Sequence, residues 1–185
     1  HQGGFIASGH ISHGQLKRRK AVSYSSALKV AEILVLIENS YRQVGQSLGE
    51  GRHYGCLKIA GASSTLDSPY VVNFFGEAPI GGTKSPYYVQ EKIIRLRKHP
   101  EHCASSESRD PALKRYGGAI RVTAEGPIRY LSWSGFPEEV DEAYMLAIAA
   151  RAELIMIRGA MDIAAKTHNT KLMQTLYFVS EKWVA

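Results

Sequence analysis

The sequence has few cysteines and no long apolar run. Its 185 residues include only Cys56 and Cys103, whereas a disulfide-stapled secreted domain usually carries more, so we expect two reduced thiols. No apolar stretch approaches the ~20 residues that a membrane-spanning helix needs. Residues 1–20 lack the order of charge, apolar core and cleavage site that marks a signal peptide. These absences predict a soluble, cytoplasmic protein with no membrane partner.

Several signatures of catalysis and binding are also missing. The sequence contains no nucleophile elbow, Walker loop, dinucleotide fingerprint or His-Glu-x-x-His zinc motif. Its net charge is +6, from 23 basic and 17 acidic residues, and basic residues concentrate in 17–20 and 92–98. No zinc-finger, RNP-type or helix-turn-helix signature accompanies this charge, so we do not expect nucleic acid as a partner.

The remaining pattern predicts one domain after an N-terminal arm. Residues 1–22 are rich in Gly, Ser and His and have little apolar periodicity, which predicts a flexible or peripheral basic arm. Residues 23–185 are predicted to form a single domain, since a chain of this length can bury one substantial core.

Apolar spacing predicts three helices in that domain. A spacing of three and four residues predicts a helix over 24–48 that begins at Ser25 or Ser26. A second helix is expected from Ser85, with Pro86 at its first position, to Pro100. A third, of about 30 residues, is expected from Pro137 to about Thr167.

Alternating apolar residues predict the strands. The four expected strands are 54–60, 70–75, 119–124 and 128–133, and the segment 172–179 has a β-like composition that could add an edge strand. Paired strands with interposed helices favour an α+β fold, with an antiparallel sheet, helices packed on its faces and a long C-terminal helix.

One combination of motifs points to a family. Gly117-Gly118 precede a strand, a short turn, a strand that ends at Ser134-Gly135, and a helix start that carries Asp141 and Glu142. Upstream, the strand 71–75 is followed by GEAPIGG and a helix that bears Lys92. This order resembles the GlcG and HbpS family, which includes the C-terminal domain of PduO and is often labelled a heme-degrading domain. The resemblance spans roughly residues 29–150.

The resemblance implies a homo-oligomeric small-molecule-binding protein with heme as a candidate cofactor. It would place the GEAPIGG loop and the Lys92 helix near the Gly117-Gly118 turn. We name Gly117, Gly118 and Ser134 as candidate cofactor-binding residues, because free amides at such turns can hold an anionic group. A structural alternative stays open: the glycine after Ser134 eases a tight turn, and Ser134 accepts from an amide of the helix start.

His99 and His102, in the segment KHPEHC, are the most concentrated ligand-capable residues. Imidazole binds iron and zinc, so either histidine is a candidate axial heme ligand. No second cluster completes a four-ligand structural zinc site, and we therefore assign no metal site. The pair also suits an exposed helix C-terminus, where positive charge is favourable.

Two other classes of function remain open. A cofactor-free enzyme, such as an isomerase, cyclase or lyase, would use Tyr88, Lys92, Arg121 or His99 as acid, base and anion clamp. This hypothesis requires a closed apolar pocket with Tyr88 or Lys92 inside. A protein-interaction adaptor would instead use the arm at 17–20 and an exposed apolar face on the third helix.

Overall fold

A computed structural model describes the backbone of residues 13–61, 71–79, 82–122 and 128–180, and side chains from residue 27 to 179 within those ranges. In chain order the elements are α1 (His13–Ser47), β1 (Gly55–Gly61), β2 (Val71–Phe75), α2 (Ser85–Lys98), β3 (Ala119–Arg121), β4 (Ile128–Ser134), α3 (Glu138–Arg151), α4 (Ile157–Lys166) and α5 (Leu172–Ser180). The first twelve residues of the predicted arm lie outside the described residues, so the arm stays a prediction there.

The four strands form one antiparallel sheet in the order β2-β1-β4-β3. Leu57 lies opposite Trp133, and Ile59 lies opposite Leu131, in the central β1–β4 pair. Because side chains alternate between the two faces of a strand, these four residues project from one face. The predicted α+β fold with an antiparallel sheet is confirmed.

That face forms the main core with α1, α3 and α5. The Trp133 ring contacts the rings of Phe75, Phe136 and Tyr144, with centroids 5.3–5.5 Å apart. Every residue of α3 from Val140 to Ala149 is buried. A helix enclosed on all sides belongs to the centre of a domain, and α3 accordingly lies between the sheet and the outer helices.

The opposite face is covered by α2 and is more polar. Val89, Ile93 and Leu96 bury the apolar side of α2, but this layer also holds the buried polar residues Lys92 and Ser132. Because side chains alternate along β4, the Ser132 side chain points to the face opposite that of Trp133. Polar groups in this layer need partners, and those of Lys92 define the site described below.

The prediction of one helix from Pro137 to Thr167 is wrong. The helix ends at Arg151, and a second one, α4, starts at Ile157. At the break, Glu153 has φ +55°, the Leu154 amide donates to the Ala149 carbonyl, and the Glu153 amide donates to that of Ala150. This is a Schellman ending, which normally takes glycine at the left-handed position. Because Glu occupies that position here, the helix ends without the glycine that usually marks such a stop.

Two other boundaries also differ from the sequence-based expectations. The segment 172–179 is helical and forms α5 rather than a strand, because Leu172, Leu176 and Val179 are buried against the core with a helical spacing. Helix α1 begins at His13, so Ser25 and Ser26 lie inside it and do not start it. Among the described residues, no helix is both long enough and apolar enough to cross a bilayer.

Candidate functional site

A buried ion pair joins α2 to α3. Lys92 Nζ lies 3.0 Å from Asp141 Oδ2, and the side chains are 2% and 3% exposed. The same ammonium group donates to the Trp133 carbonyl at 2.8 Å. Two buried charges require close geometry and further hydrogen bonds to offset their lost hydration. The pair therefore fixes α2, the end of β4 and the start of α3 relative to one another.

Asp141 also closes the turn from β4 into α3. Its Oδ1 accepts from the Phe136 amide at 2.8 Å, and the Gly135 amide bonds the same carboxylate. A Cβ at Gly135 would lie 2.2 Å from the Tyr54 carbonyl oxygen, so the turn has no room for a side chain there. The acceptor at the helix start is thus Asp141, and the expectation that Ser134 fills this role is wrong.

Gly118 lies against the ion pair. Its φ is +113°, and a Cβ would lie 2.5 Å from Lys92 Nζ and 2.6 Å from Asp141 Cβ. Both the backbone conformation and the space require glycine. The Lys92 helix therefore lies beside the Gly117-Gly118 turn, as the family resemblance implies, although Gly118 makes room for the pair and does not present an open cradle.

A pocket of about 380 Å³ opens over this pair. Lys92, Asp141 and Ser134 line it together with residues from the start of α2, the segment before β1 and the segment before β3. The other lining residues are Arg52, Tyr54, Thr83, Lys84, Ser85, Tyr88, Tyr116, Gly135, Phe136, Pro137 and Glu138. The pocket is polar and aromatic rather than apolar and closed, which departs from the enclosure that the enzyme hypothesis requires.

Arg95 holds the Tyr116 wall of this pocket in place. Its guanidinium is buried, pairs with Glu91 at 3.0 Å, and donates to the carbonyls of Ser108 and Tyr116. The rings of Tyr88 and Tyr116 meet edge to face with centroids 5.6 Å apart. Because α2 carries both Tyr88 and Arg95, that helix positions two of the three tyrosines in the lining.

The Gly117 amide is not free. It donates to Glu138 Oε2 at 3.0 Å, and the other carboxylate oxygen of Glu138 accepts from Arg109. The Gly135 amide, at the turn that follows Ser134, is bonded to Asp141, so an amide in each of these two turns already has a partner. Any anion in the pocket would therefore meet side chains first.

Burial raises the pKa of Asp141 to about 6, although Lys92 and the amides of Phe136 and Gly135 oppose that rise. The carboxylate is ionised at neutral pH and gains a proton under mildly acidic conditions. The net charge of the Lys92–Asp141 pair therefore depends on pH.

Burial also raises the pKa of the Cys56 thiol, to about 11, so this free thiol stays protonated.

Arg121 lies elsewhere, at the C-terminal end of α2. It donates to the carbonyls of Leu96, His99 and Pro100. These are carbonyls that the end of a helix leaves without intrahelical partners. Arg121 does not line the pocket, so the structure gives it a capping position and does not bring it together with Tyr88 and Lys92.

His99 and His102 also lie outside the pocket. Their rings stack with centroids 4.8 Å apart at an interplanar angle of 13°, and both contact Glu101. Two imidazoles side by side cannot take opposite axial positions on one porphyrin, and His102 Nδ1 is buried without a partner among the described residues. The pair thus fits a porphyrin poorly, and heme binding stays a prediction.

The face that the adaptor hypothesis requires is covered where α3 is concerned, since α3 is buried from Val140 to Ala149. Exposed apolar side chains occur instead on α4 and just before it, at Met156, Ile157 and Met161. These exposed residues fall within the segment 137–167 that the adaptor hypothesis uses, and that hypothesis stays a prediction.

Sequence reasoning missed several members of the site. The sequence marks Asp141 as part of an acidic helix start, but its pairing with Lys92 depends on a contact across 49 residues. Arg52, Tyr54 and Tyr116 lie in irregular segments without a motif, so no local signal marks them. The one available clue was the small residue Gly118 between a loop and a strand, which implied close packing.

Comparisons of the chain with protein-family models, with curated proteins and with solved structures find no match.

Proposed function

We propose that the chain binds a small organic anion in the pocket over Lys92. The observation that carries this proposal is the Lys92 ammonium group, which lines the pocket while 2% exposed. Two of its three N–H groups bond Trp133 and Asp141, and the third has no partner among the described residues. A buried donor without an acceptor is costly, and an anionic oxygen in the pocket would satisfy it.

The walls suit the same ligand. Arg52 and Lys84 add positive charge at the edge of the pocket, and Tyr54, Tyr88 and Tyr116 provide rings and hydroxyl groups. Arg52 bonds Glu50 in an exposed pair, which a ligand can displace at little cost. A volume of about 380 Å³ is near the lower end of ligand pockets. An aromatic or keto carboxylate fits this size and chemistry.

A panel of small carboxylates, each with its neutral carboxamide, tests the proposal by ligand-observed NMR and calorimetry. We expect a subset of carboxylates to bind and their amides to bind much more weakly. Lys84→Ala should weaken binding several-fold, since it removes a charge from the wall. The matched control is Lys98→Ala, which removes an exposed cation outside the pocket. Equal binding of acids and amides, or equal effects of the two variants, would overturn the proposal.

The pH dependence gives an independent test. Because the pKa of Asp141 is about 6, lowering the pH from 7 to 5 removes a negative charge beside the bound anion. Affinity for a carboxylate that stays ionised should therefore rise several-fold over this range. Asp141→Asn should bind more tightly at pH 7 and lose the pH dependence. Calorimetry at pH 5, 6 and 7 measures both, and an unchanged profile in the variant would contradict the assignment to Asp141.

A cofactor-free proton-transfer enzyme is the second candidate. Tyr88 and Lys92 lie four residues apart, on one face of α2, and both line the pocket with Asp141. A carboxylate with a pKa near 6 suits a general base, Tyr88 would be the general acid, and Lys92 would stabilise an enolate oxygen. Deuterium uptake from D₂O into a bound keto acid, slowed in Tyr88→Phe, tests this function. Absence of exchange in every ligand that binds would discard catalysis and leave the binding proposal in place.

Heme binding and homo-oligomer formation stay predictions of the family resemblance. Titration with hemin, repeated on His99→Ala/His102→Ala, tests the first: a saturable Soret shift that the variant loses would support it. Light scattering on the purified chain tests the second. We expect a mass that is a multiple of 20.4 kDa, and a monomer at all concentrations would contradict the prediction.

A further inference from the structure

The turn after α2 brings two imidazoles and one carboxylate together. His99 directly follows the last residue of α2, and its carbonyl accepts from the His102 amide at 3.0 Å. This bond folds residues 99–102 back on themselves, so that the rings of His99 and His102 stack over one another. Arg121 holds the carbonyls of His99 and Pro100. The backbone of the turn is therefore fixed from both the helix and β3.

Both imidazoles lie close to one carboxylate oxygen of Glu101. Glu101 Oε1 lies 3.1 Å from His99 Nδ1 and 3.5 Å from His102 Nε2, and the ligand atoms of all three residues lie within 4.8 Å of one another. For metal–ligand bonds of about 2.0–2.2 Å, neighbouring ligands in a tetrahedral site lie about 3.4 Å apart. The two separations from Glu101 are close to this spacing, whereas the largest separation in the group, 4.8 Å, must shorten by side-chain rotation before one ion can contact all three residues.

We propose that His99, Glu101 and His102 form a surface site for one divalent late transition-metal ion. Two imidazoles and one carboxylate are a ligand set used for Zn²⁺ and for Fe²⁺ with open coordination positions. The site does not depend on the pocket over Lys92 and shares no residue with it.

The surroundings define how such an ion would be bound. The His99 and Glu101 side chains are 43% and 60% exposed, and water can complete the coordination. His102 is 18% exposed, and its buried Nδ1 lacks the outer partner that usually orients a metal-binding imidazole. We therefore expect moderate affinity.

Titration of the full chain with Co²⁺, followed by visible absorption and then by displacement with Zn²⁺, tests the site. We expect one equivalent of ion per chain from this turn, with ligand-field bands that Zn²⁺ abolishes. His99→Ala/His102→Ala should lower the affinity by more than about tenfold, since loss of an outer-shell partner alone costs 10–100-fold. Glu101→Gln, an exposed and nearly isosteric change, should also weaken binding and keeps the test valid if the double variant folds poorly.

His53→Ala is the matched control, because His53 is exposed and lies outside the turn. It should bind the ion as the unchanged chain does, and so should Lys84→Ala, which alters the pocket. No uptake of Co²⁺ would overturn the proposal. Binding that survives both the double variant and Glu101→Gln would do the same, since the ion would then be held by other histidines. Melting temperatures of all variants without metal confirm that each is folded.

Discussion

Asp141 and Glu142 are consecutive, both lie on α3 and both are buried, but their surroundings differ in charge. Asp141 is paired with the Lys92 ammonium group and borders the pocket. Glu142 is 1% exposed, and its hydrogen-bond donors within the described residues are neutral: Thr167 Oγ1 at 2.7 Å and Asn169 Nδ2 at 3.3 Å. Burial raises the pKa of both carboxyl groups. Only one of them is offset by a cation.

The difference indicates that Asp141 belongs to a ligand site, whereas Glu142 is a structural residue. The Asp141 region combines buried opposite charges, a glycine that admits them and an open pocket, which are features of a ligand site. Glu142 instead joins α3 to the turn between α4 and α5, and its Oε2 makes no hydrogen bond within the described chain. Ser106 lies beside it and lowers its pKa together with Thr167 and Asn169, although burial prevails. Glu142 thus connects helices, and it forms no ion pair with any of the described residues.

The largest effect should come from breaking the charged pair. Lys92→Met leaves Asp141 buried without a cation, and loss of one partner of such a pair costs about 3–5 kcal/mol. The loss should be greatest at pH 7 and should shrink toward pH 5, because Asp141 then gains a proton. Urea denaturation at the two pH values measures both effects.

The control for that variant is Lys92→Met/Asp141→Asn. Asparagine keeps an oxygen to accept from the Phe136 amide and removes the unpaired charge, so most of the lost stability should return. If the double variant is as unstable as Lys92→Met, packing of the lysine side chain matters more than its charge. The comparison with Glu142 would then lose its electrostatic basis.

At Glu142 we expect a substitution to raise the free energy of unfolding, by less than Lys92→Met lowers it. Glu142→Gln keeps an oxygen for Thr167 and Asn169 and replaces an unpaired oxygen with an amide that can donate to Ser106. We expect a gain of about 1 kcal/mol at pH 7, the size of one net hydrogen bond, or about 2–4 °C in Tm.

The pH profile decides whether charge causes this gain. A carboxyl whose pKa is raised in the folded state contributes stability that is full below its ordinary pKa of 4.5 and is lost as the pH rises through the folded value. The advantage of Glu142→Gln should therefore be smallest near pH 4 and grow toward pH 7. Asp141 is present in both proteins and cancels. A constant difference across this range would indicate packing rather than charge.

The same contrast shows which parts of the molecule were predictable. Alternation of apolar residues predicts the antiparallel pairs β1–β2 and β3–β4. The position of the proline predicts the start of α2 at Ser85, and the family resemblance predicts the proximity of Lys92 to Gly118. These signals are local or depend on short connections. The partner of Lys92 and the role of Glu142 depend on contacts 49 and 25 residues away, for which one sequence contains no direct signal.

The C-terminal ends of α3 and α4 were unpredictable for a different reason. Both α3 and α4 end in left-handed residues that are not glycine, Glu153 at φ +55° and His168 at φ +56°. A rule that searches for glycine or proline finds no boundary there. Leu154 and Leu172, which follow these endings, are both buried, so contacts distant in the sequence accompany each ending.

The smallest effect is expected at this second ending, which presents Thr167 and Asn169 to Glu142. His168 is exposed, and its left-handed backbone is unfavourable for a residue with a Cβ. His168→Gly should therefore stabilise the fold by about 0.5–1 kcal/mol, because glycine relieves this strain but loses more entropy on folding. Urea denaturation measures the change, with Glu153→Gly as the matched control at the other ending. If His168→Gly loses stability while Glu153→Gly gains it, the prediction is wrong. The His168 side chain would then itself stabilise the turn whose Thr167 and Asn169 donate to Glu142.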